Sequence, residues 1–281
     1  MVTALTLPRG SRVLVTGANG FIASHTINQL LKLGYRVRGT VRAPKPWLDV
    51  HFADRYGWGM FETAHVRNFG DLQEIESALD GVDGVIHLVS DVTMGDDIRK
   101  VAPWACKATV TMLEAASRWP SIRSVVMGSS STAAYSPEPG KPGVRIEEGM
   151  WPPPPPPPSD SNPELCVGAS TKRFEFVVSV GTWNMAAVRK AWAMAPSTPD
   201  EIASGTQTDW NNLAMPDSPS LSHSHTRLAR MLMVYSACKT QCEWEAWRWV
   251  RHNRPGFKFN TVIPAYTVRH ALLGRGLTKG L

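Results

Sequence analysis

One short stretch restricts this chain more than any other: Val13-Leu14-Val15-Thr16-Gly17-Ala18-Asn19-Gly20-Phe21-Ile22-Ala23-Ser24-His25. The apolar triplet Val13 to Val15 reads as a short buried parallel strand. Thr16 to Gly20 form a tight turn, and Phe21, Ile22, Ile27, Leu30 and Leu31 recur at helical spacing. A strand that enters a glycine turn and opens a helix is a device for holding a dinucleotide pyrophosphate. Glycine at 17 permits the sharp turn, and glycine at 20 lets the backbone approach the phosphates. The helix N-terminus then offers free N–H groups and the positive end of a dipole. The spacing Gly17-x-x-Gly20-x-x-Ala23 is one residue tighter at its first gap than Gly-x-Gly-x-x-Gly, with alanine at the helix–strand packing position. Thr16, Gly17, Asn19, Gly20, Phe21 and Ile22 are therefore candidate cofactor-binding residues.

The second strand sharpens the choice of cofactor. Tyr35 to Arg42 alternates apolar and polar residues. Sites that prefer NAD place a carboxylate at its end for the ribose 2′-hydroxyl. This chain offers Arg42 there, with Lys45 three residues on, which suits the 2′-phosphate of NADP.

Composition excludes several classes. A chain of 281 residues can bury a full core, and 43% hydrophobic content fits a globular protein. No apolar run is long enough to span a bilayer, and Met1 to Arg12 carry no secretory pattern. The net charge of +6 comes from dispersed basic residues, so nucleic acid is not an expected partner; a basic protein suits an anionic cofactor. Cys106, Cys166, Cys238 and Cys242 are scattered without a Cys-x-x-Cys pair, as expected of free thiols in a cytoplasmic protein.

The remaining segments alternate strand with helix. Trp47 to Glu62 reads as irregular, Ala64 to Val66 as a third strand and Ile75 to Leu79 as part of a helix. Gly84 to Ser90 reads as a strand ending at the cofactor edge with Val89 and Ser90, and His87 within it as a core histidine. Val101 to Ala116 is helical, and Ser124 to Gly128 is a buried strand followed by Ser129-Ser130-Ser131-Thr132. The expected fold is α/β, a Rossmann-type doubly wound parallel sheet with ligands at the carboxyl ends of its strands. Residues 1–150 form the nucleotide-binding part.

Composition then breaks. Trp151 is followed by seven prolines, Pro152 to Pro158, which enforce polyproline II and suit a stiff surface spacer. Residues 151–225 read as a Pro/Ser-rich, poorly ordered insertion with one helical island near Asn184 to Ala193. His223 and His225 have no clustered companions, so no metal site is expected. Residues 226–281 return to the α/β part, with a long helix over Leu228 to Trp249, a strand over Phe257 to Ile263 and a loop at Pro264.

That long helix carries Tyr235-Ser236-Ala237-Cys238-Lys239. Positions i and i+4 share a helix face, so phenol and ammonium address one cleft. An ammonium beside a phenol favours its deprotonated form, which makes the phenol a usable general acid for a carbonyl oxygen. A serine after a central strand can hold that oxygen. Ser130 takes this role, with Ser129 and Ser131 as neighbours in register.

Together these stretches resemble the extended short-chain dehydrogenase/reductases, and within them the dihydroflavonol-reductase-like fungal aldehyde and carbonyl reductases. The resemblance rests on Leu14 to His25, Val37 to Arg42, Ser129 to Ala134, Val234 to Lys239 and Asn260 to Pro264, and covers about residues 10–135 and 230–268. It implies an NADPH-dependent reductase of a small-molecule aldehyde or ketone with a Ser130–Tyr235–Lys239 triad. It further implies that Lys239 binds the nicotinamide ribose, that Pro264 lies near the nicotinamide amide, and that Asn68-Phe69 replaces an Asp–apolar pair at the adenine. Ser130 and Tyr235 lie about a hundred residues apart, farther than is usual in the family. The unfamiliar blocks around Thr182-Trp183-Asn184 match what a translated intervening sequence would add. Relative to the family, the substrate-binding region after Pro264 reads as truncated. The alternatives are a sugar-nucleotide epimerase or dehydratase, which usually retains NAD, and a non-catalytic NADP-binding protein. Monomer and homodimer stay open.

Overall fold

The computed structural model describes residues 6–90, 95–134, 183–194, 222–265 and 267, with the backbone alone at 186 and 222–227. The proline run and most of 151–225 lie outside the described residues, as does Cys166.

Val13-Leu14-Val15 shows how the sheet divides its side chains. Val13 and Val15 join a core with Ile27, Leu31, Val37, Val41, Leu48, Phe52 and Phe61. Leu14 points the other way, into a core with Ile75, Leu79, Val85, Ile98, Met112 and Val125. This two-residue alternation, buried on both faces, is what a central parallel strand requires. The strands are β1 (Arg12–Val15), β2 (Arg36–Val41), β3 (Phe61–His65), β4 (Gly84–His87), β5 (Ser124–Gly128) and β6 (Lys258–Val262). They form one sheet in the order β3-β2-β1-β4-β5-β6, and every neighbouring pair is parallel. The order reverses between β1 and β4, so a crevice opens at their carboxyl ends. The Rossmann-type doubly wound fold is therefore present.

The helices are α1 (Phe21–Lys32), α2 (Pro46–Tyr56), α3 (Leu72–Leu79), α4 (Ile98–Ser117), α5 (Met185–Ala193) and α6 (Ser222–Asn253). Helices α1 and α2 cover the Val13 face; α3 to α6 cover the Leu14 face. The helical island expected near Asn184 is α5, capped by the Asn184 side chain accepting Ala187 N–H at 3.2 Å. Ala187, Val188 and Ala191 bury it in the core.

Two expectations need correction. Trp47 to Glu62 is not irregular: α2 fills most of it, and β3 begins at Phe61. Pro46 at the first turn is pre-set for helix, and Leu48, Phe52 and Ala53 make a narrow buried stripe. Only three positions carry that stripe, with His51, Asp54 and Arg55 interleaved, so its period is weak. β4 stops at His87 rather than Ser90, because the Thr16 hydroxyl accepts the amides of Leu88 (2.8 Å) and Val89 (3.0 Å) and draws the chain out of the ladder.

Candidate active site at the carboxyl edge of the sheet

Each strand end delivers predicted residues to this edge. The turn after β1 is built as its glycines suggest. Gly17 has φ +72°, a region L side chains rarely adopt, and donates its N–H to Thr40 Oγ1 at 3.0 Å. A Cβ on Gly20 would stand 3.1 Å from the Gly17 carbonyl oxygen, and one on Gly17 would stand 3.2 Å from Val89. The start of α1 carries no side-chain cap, which leaves its N–H groups facing the turn. This cradle fits an anionic pyrophosphate.

Thr16 is fully engaged. Its hydroxyl accepts two backbone amides and faces His87 Nδ1 at 3.3 Å. Having filled its acceptor sites, it donates to Nδ1, which fixes the imidazole proton on Nε2. His87 is buried, and burial followed by the Lys239 charge lowers its pKa to about 3. The reading of His87 as a core histidine agrees with this. Asn19 is buried, while Phe21 is half-buried and Ile22 is exposed on α1.

Beyond β2, Arg42 is exposed and Lys45 half-buried at the N-cap of α2. Beyond β3, Asn68 Oδ1 accepts Gly70 N–H at 2.9 Å and keeps one lone pair for a ligand. Phe69 is buried with its ring 5.7 Å from that of His87, so only its backbone can meet a ligand.

Beyond β4 and β5 the parts draw together. Val89, Ser90, Trp104, Gly128, Lys239 and Cys242 line one cleft. Lys239 is buried, and its Nζ donates to the Gly128 carbonyl at 3.3 Å, leaving two of three donor positions. Tyr235, half-buried, precedes it by four residues on α6. Ser130 is buried at the start of a short 3₁₀ turn over Ser131–Ala133, with Oγ 3.0 Å from Thr132 Oγ1. The neighbouring Ser129 hydroxyl is committed to Glu243, to which it donates. Pro264 lies beside this turn, its carbonyl accepting Ser131 N–H at 3.0 Å.

Sequence reasoning missed several members. Asn184 Nδ2 donates to the Thr132 carbonyl at 3.0 Å, tying α5 to the serine turn. Glu243 lies one further turn along the Tyr235–Lys239 face, and that i+4 spacing was its only signal. The cysteines, scattered in sequence, gather in space: Cys106 and Cys242 sulfurs are 3.3 Å apart, and Cys238 and Cys242 sulfurs 3.9 Å. All three are buried thiols outside any disulfide, as expected, and the Cys106 hydrogen bond pushes the Cys242 thiol up.

Among the described residues, no helix is long and apolar enough to cross a membrane. The ketoreductase nvfG of Aspergillus novofumigatus is 33% identical over 95% of this chain and 60% of its own length. Aldehyde reductase 2 of Sporidiobolus salmonicolor is 30% identical over 93% of this chain and 59% of its own. The chain thus spans about three fifths of the length of these relatives. Among solved structures, the yeast methylglyoxal/isovaleraldehyde reductase Gre2 complexed with NADPH aligns at TM-score 0.53 and 19% identity, over 91% of this chain and 58% of that one, a likeness of fold. The sequence model of the NAD dependent epimerase/dehydratase family matches residues 13–159, just over half the chain, and the protein belongs to that family.

Proposed function

We propose that this protein is an NADPH-dependent carbonyl reductase that converts a small-molecule aldehyde or ketone to an alcohol. One observation carries the reading. The buried Lys239 ammonium is anchored on Gly128 at the end of β5, two residues before Ser130 and one helical turn after Tyr235. Three groups suited to carbonyl chemistry therefore belong to one strand end and the helix packed on it. The relatives named as ketoreductase and aldehyde reductase support the substrate class.

The cradle residues fit NADPH. Gly17, Asn19, Gly20, Phe21 and Ile22 would take the pyrophosphate, Asn68 and the Phe69 backbone the adenine, Arg42 and Lys45 the 2′-phosphate, and Val89, Ser90, Lys239 and Pro264 the nicotinamide half. When bound, this cofactor supplies the hydride. The chain's own residues do the rest. The Ser130 hydroxyl donates a hydrogen bond to the substrate oxygen and fixes its orientation. The Tyr235 hydroxyl transfers its proton to that oxygen as negative charge develops on it. Lys239, with one proton committed to Gly128, directs the remaining two at the ribose and at the phenol oxygen, stabilising the phenolate left behind.

The test is direct. The purified chain is mixed with NADPH or NADH and an aromatic aldehyde while cofactor absorbance is followed. Oxidation of NADPH in preference to NADH supports the reductase. Binding without turnover favours the non-catalytic reading, and preference for NADH favours the epimerase-like one.

A further inference from the structure

Glu243 has no part in the chemistry above, yet the residue is only 5% exposed and both of its carboxylate oxygens are hydrogen-bonded. Oε2 accepts the Ser129 hydroxyl at 2.5 Å, and Oε1 accepts the Thr261 hydroxyl at 2.7 Å. Ser129 stands between Gly128, whose carbonyl holds Lys239, and Ser130. Thr261 belongs to β6, pairs with Met127, and precedes Val262, whose carbonyl takes the Ser129 N–H at 2.8 Å. A single buried carboxylate thus ties α6 to β5 and β6 at the residues flanking the proposed proton-transfer groups. Burial raises its pKa, opposed by the Ser129 and Thr261 hydrogen bonds and the Lys239 charge. A well-packed apolar side chain would avoid that desolvation, so stability alone gives little reason for a charge here.

We propose that Glu243 is a positioning residue: through Ser129 and Thr261 it fixes the end of β5 so that Ser130 and Lys239 face the cleft in register. Its kinetic consequence rests on the reductase reading; its geometric consequence does not.

The experiment uses the full chain with Glu243→Gln and Thr261→Val. Glutamine keeps the volume but supplies one acceptor oxygen where two were used. Thr261→Val removes one hydrogen bond with almost no change of shape, and it carries the test if the glutamine variant fails to fold. Expected is a fall in kcat of about tenfold or more, larger than the accompanying rise in KM or in the NADPH dissociation constant, because the displaced Ser130 and Lys239 act most strongly on the developing charge of the transition state. Ser129→Ala added to Glu243→Gln should cost no more than Glu243→Gln alone. Crystal structures of parent and variant with NADPH should show Ser130 Oγ and Lys239 Nζ displaced in the variant. A folded variant with parental kcat and both atoms unmoved overturns the proposal. If the parent binds NADPH but turns over no carbonyl, the reductase reading fails, and the positions of Ser130 and Lys239 in the two crystals still decide the role of Glu243.

Discussion

The Thr16 hydroxyl, 3.3 Å from His87 Nδ1, joins the end of β1 to the end of β4 across the point where the strand order reverses. The same oxygen accepts the amides of Leu88 and Val89 and so sets the path of the loop that carries Val89 and Ser90 into the cleft. The Thr16 side chain is thus occupied in shaping the crevice.

Protonation of His87 should make the fold acid-sensitive. The unfolded chain takes up this proton near 6.5 and the folded chain only near 3. Stability is therefore full above the first value and is lost as pH falls toward the second. At about 1.4 kcal/mol per tenfold change in proton affinity, the shift from 6.5 to about 3 sets a scale of about 5 kcal/mol. His87→Gln should flatten the decline of melting temperature across this window relative to the parent. A parallel decline in both proteins would contradict the assignment.

Gly39 in β2 is needed for close approach. A Cβ there would lie 2.6 Å from the Ala18 Cβ and 2.9 Å from the Phe61 ring. Ala18 sits in the Gly17–Gly20 turn, so relief of the clash must move either that turn or β3. Gly39→Ala should cost about 1–3 kcal/mol of stability and weaken NADPH binding together with it, read by denaturant unfolding and cofactor titration.

Helix α2, whose period is faint in sequence, should prove energetically central. Phe52 is fully buried with its ring 4.7 Å from that of Phe61. Phe52→Ala should destabilise the fold by about 3–5 kcal/mol, measured by chemical denaturation.

Arg42 should discriminate between the two nicotinamide cofactors. It lies exposed at the end of β2, where a 2′-phosphate would meet it. Loss of a charge-assisted contact of about 1.5–3 kcal/mol predicts that Arg42→Ala weakens NADPH about 10- to 100-fold while leaving NADH within about twofold. Equal losses for both cofactors would remove Arg42 from the phosphate site.

Much of this architecture is legible because its signals are local. Val13 to Val15 followed by Gly17 and Gly20 specifies strand, turn and helix within a dozen residues, and Ser124 to Gly128 reads as a buried strand without help from distant parts. What escapes is set by contacts across the chain. β4 ends at His87 because a hydroxyl 71 residues earlier captures its next two amides. Cys106 meets Cys242 only because α4 packs on α6. Glu243 acquires its partners from the residue after β5 and from β6, and nothing near it in sequence announces them beyond helical spacing from Lys239.

The central claim is that Tyr235 and Lys239 serve the crevice that the Gly17–Gly20 turn opens. Single-turnover oxidation of bound NADPH by an aromatic aldehyde, compared between the parent and Tyr235→Phe, tests it most directly. Loss of the hydride-transfer signal by a factor of about 10² or more, with NADPH affinity retained, is the expected result. An undiminished rate in Tyr235→Phe would contradict the account.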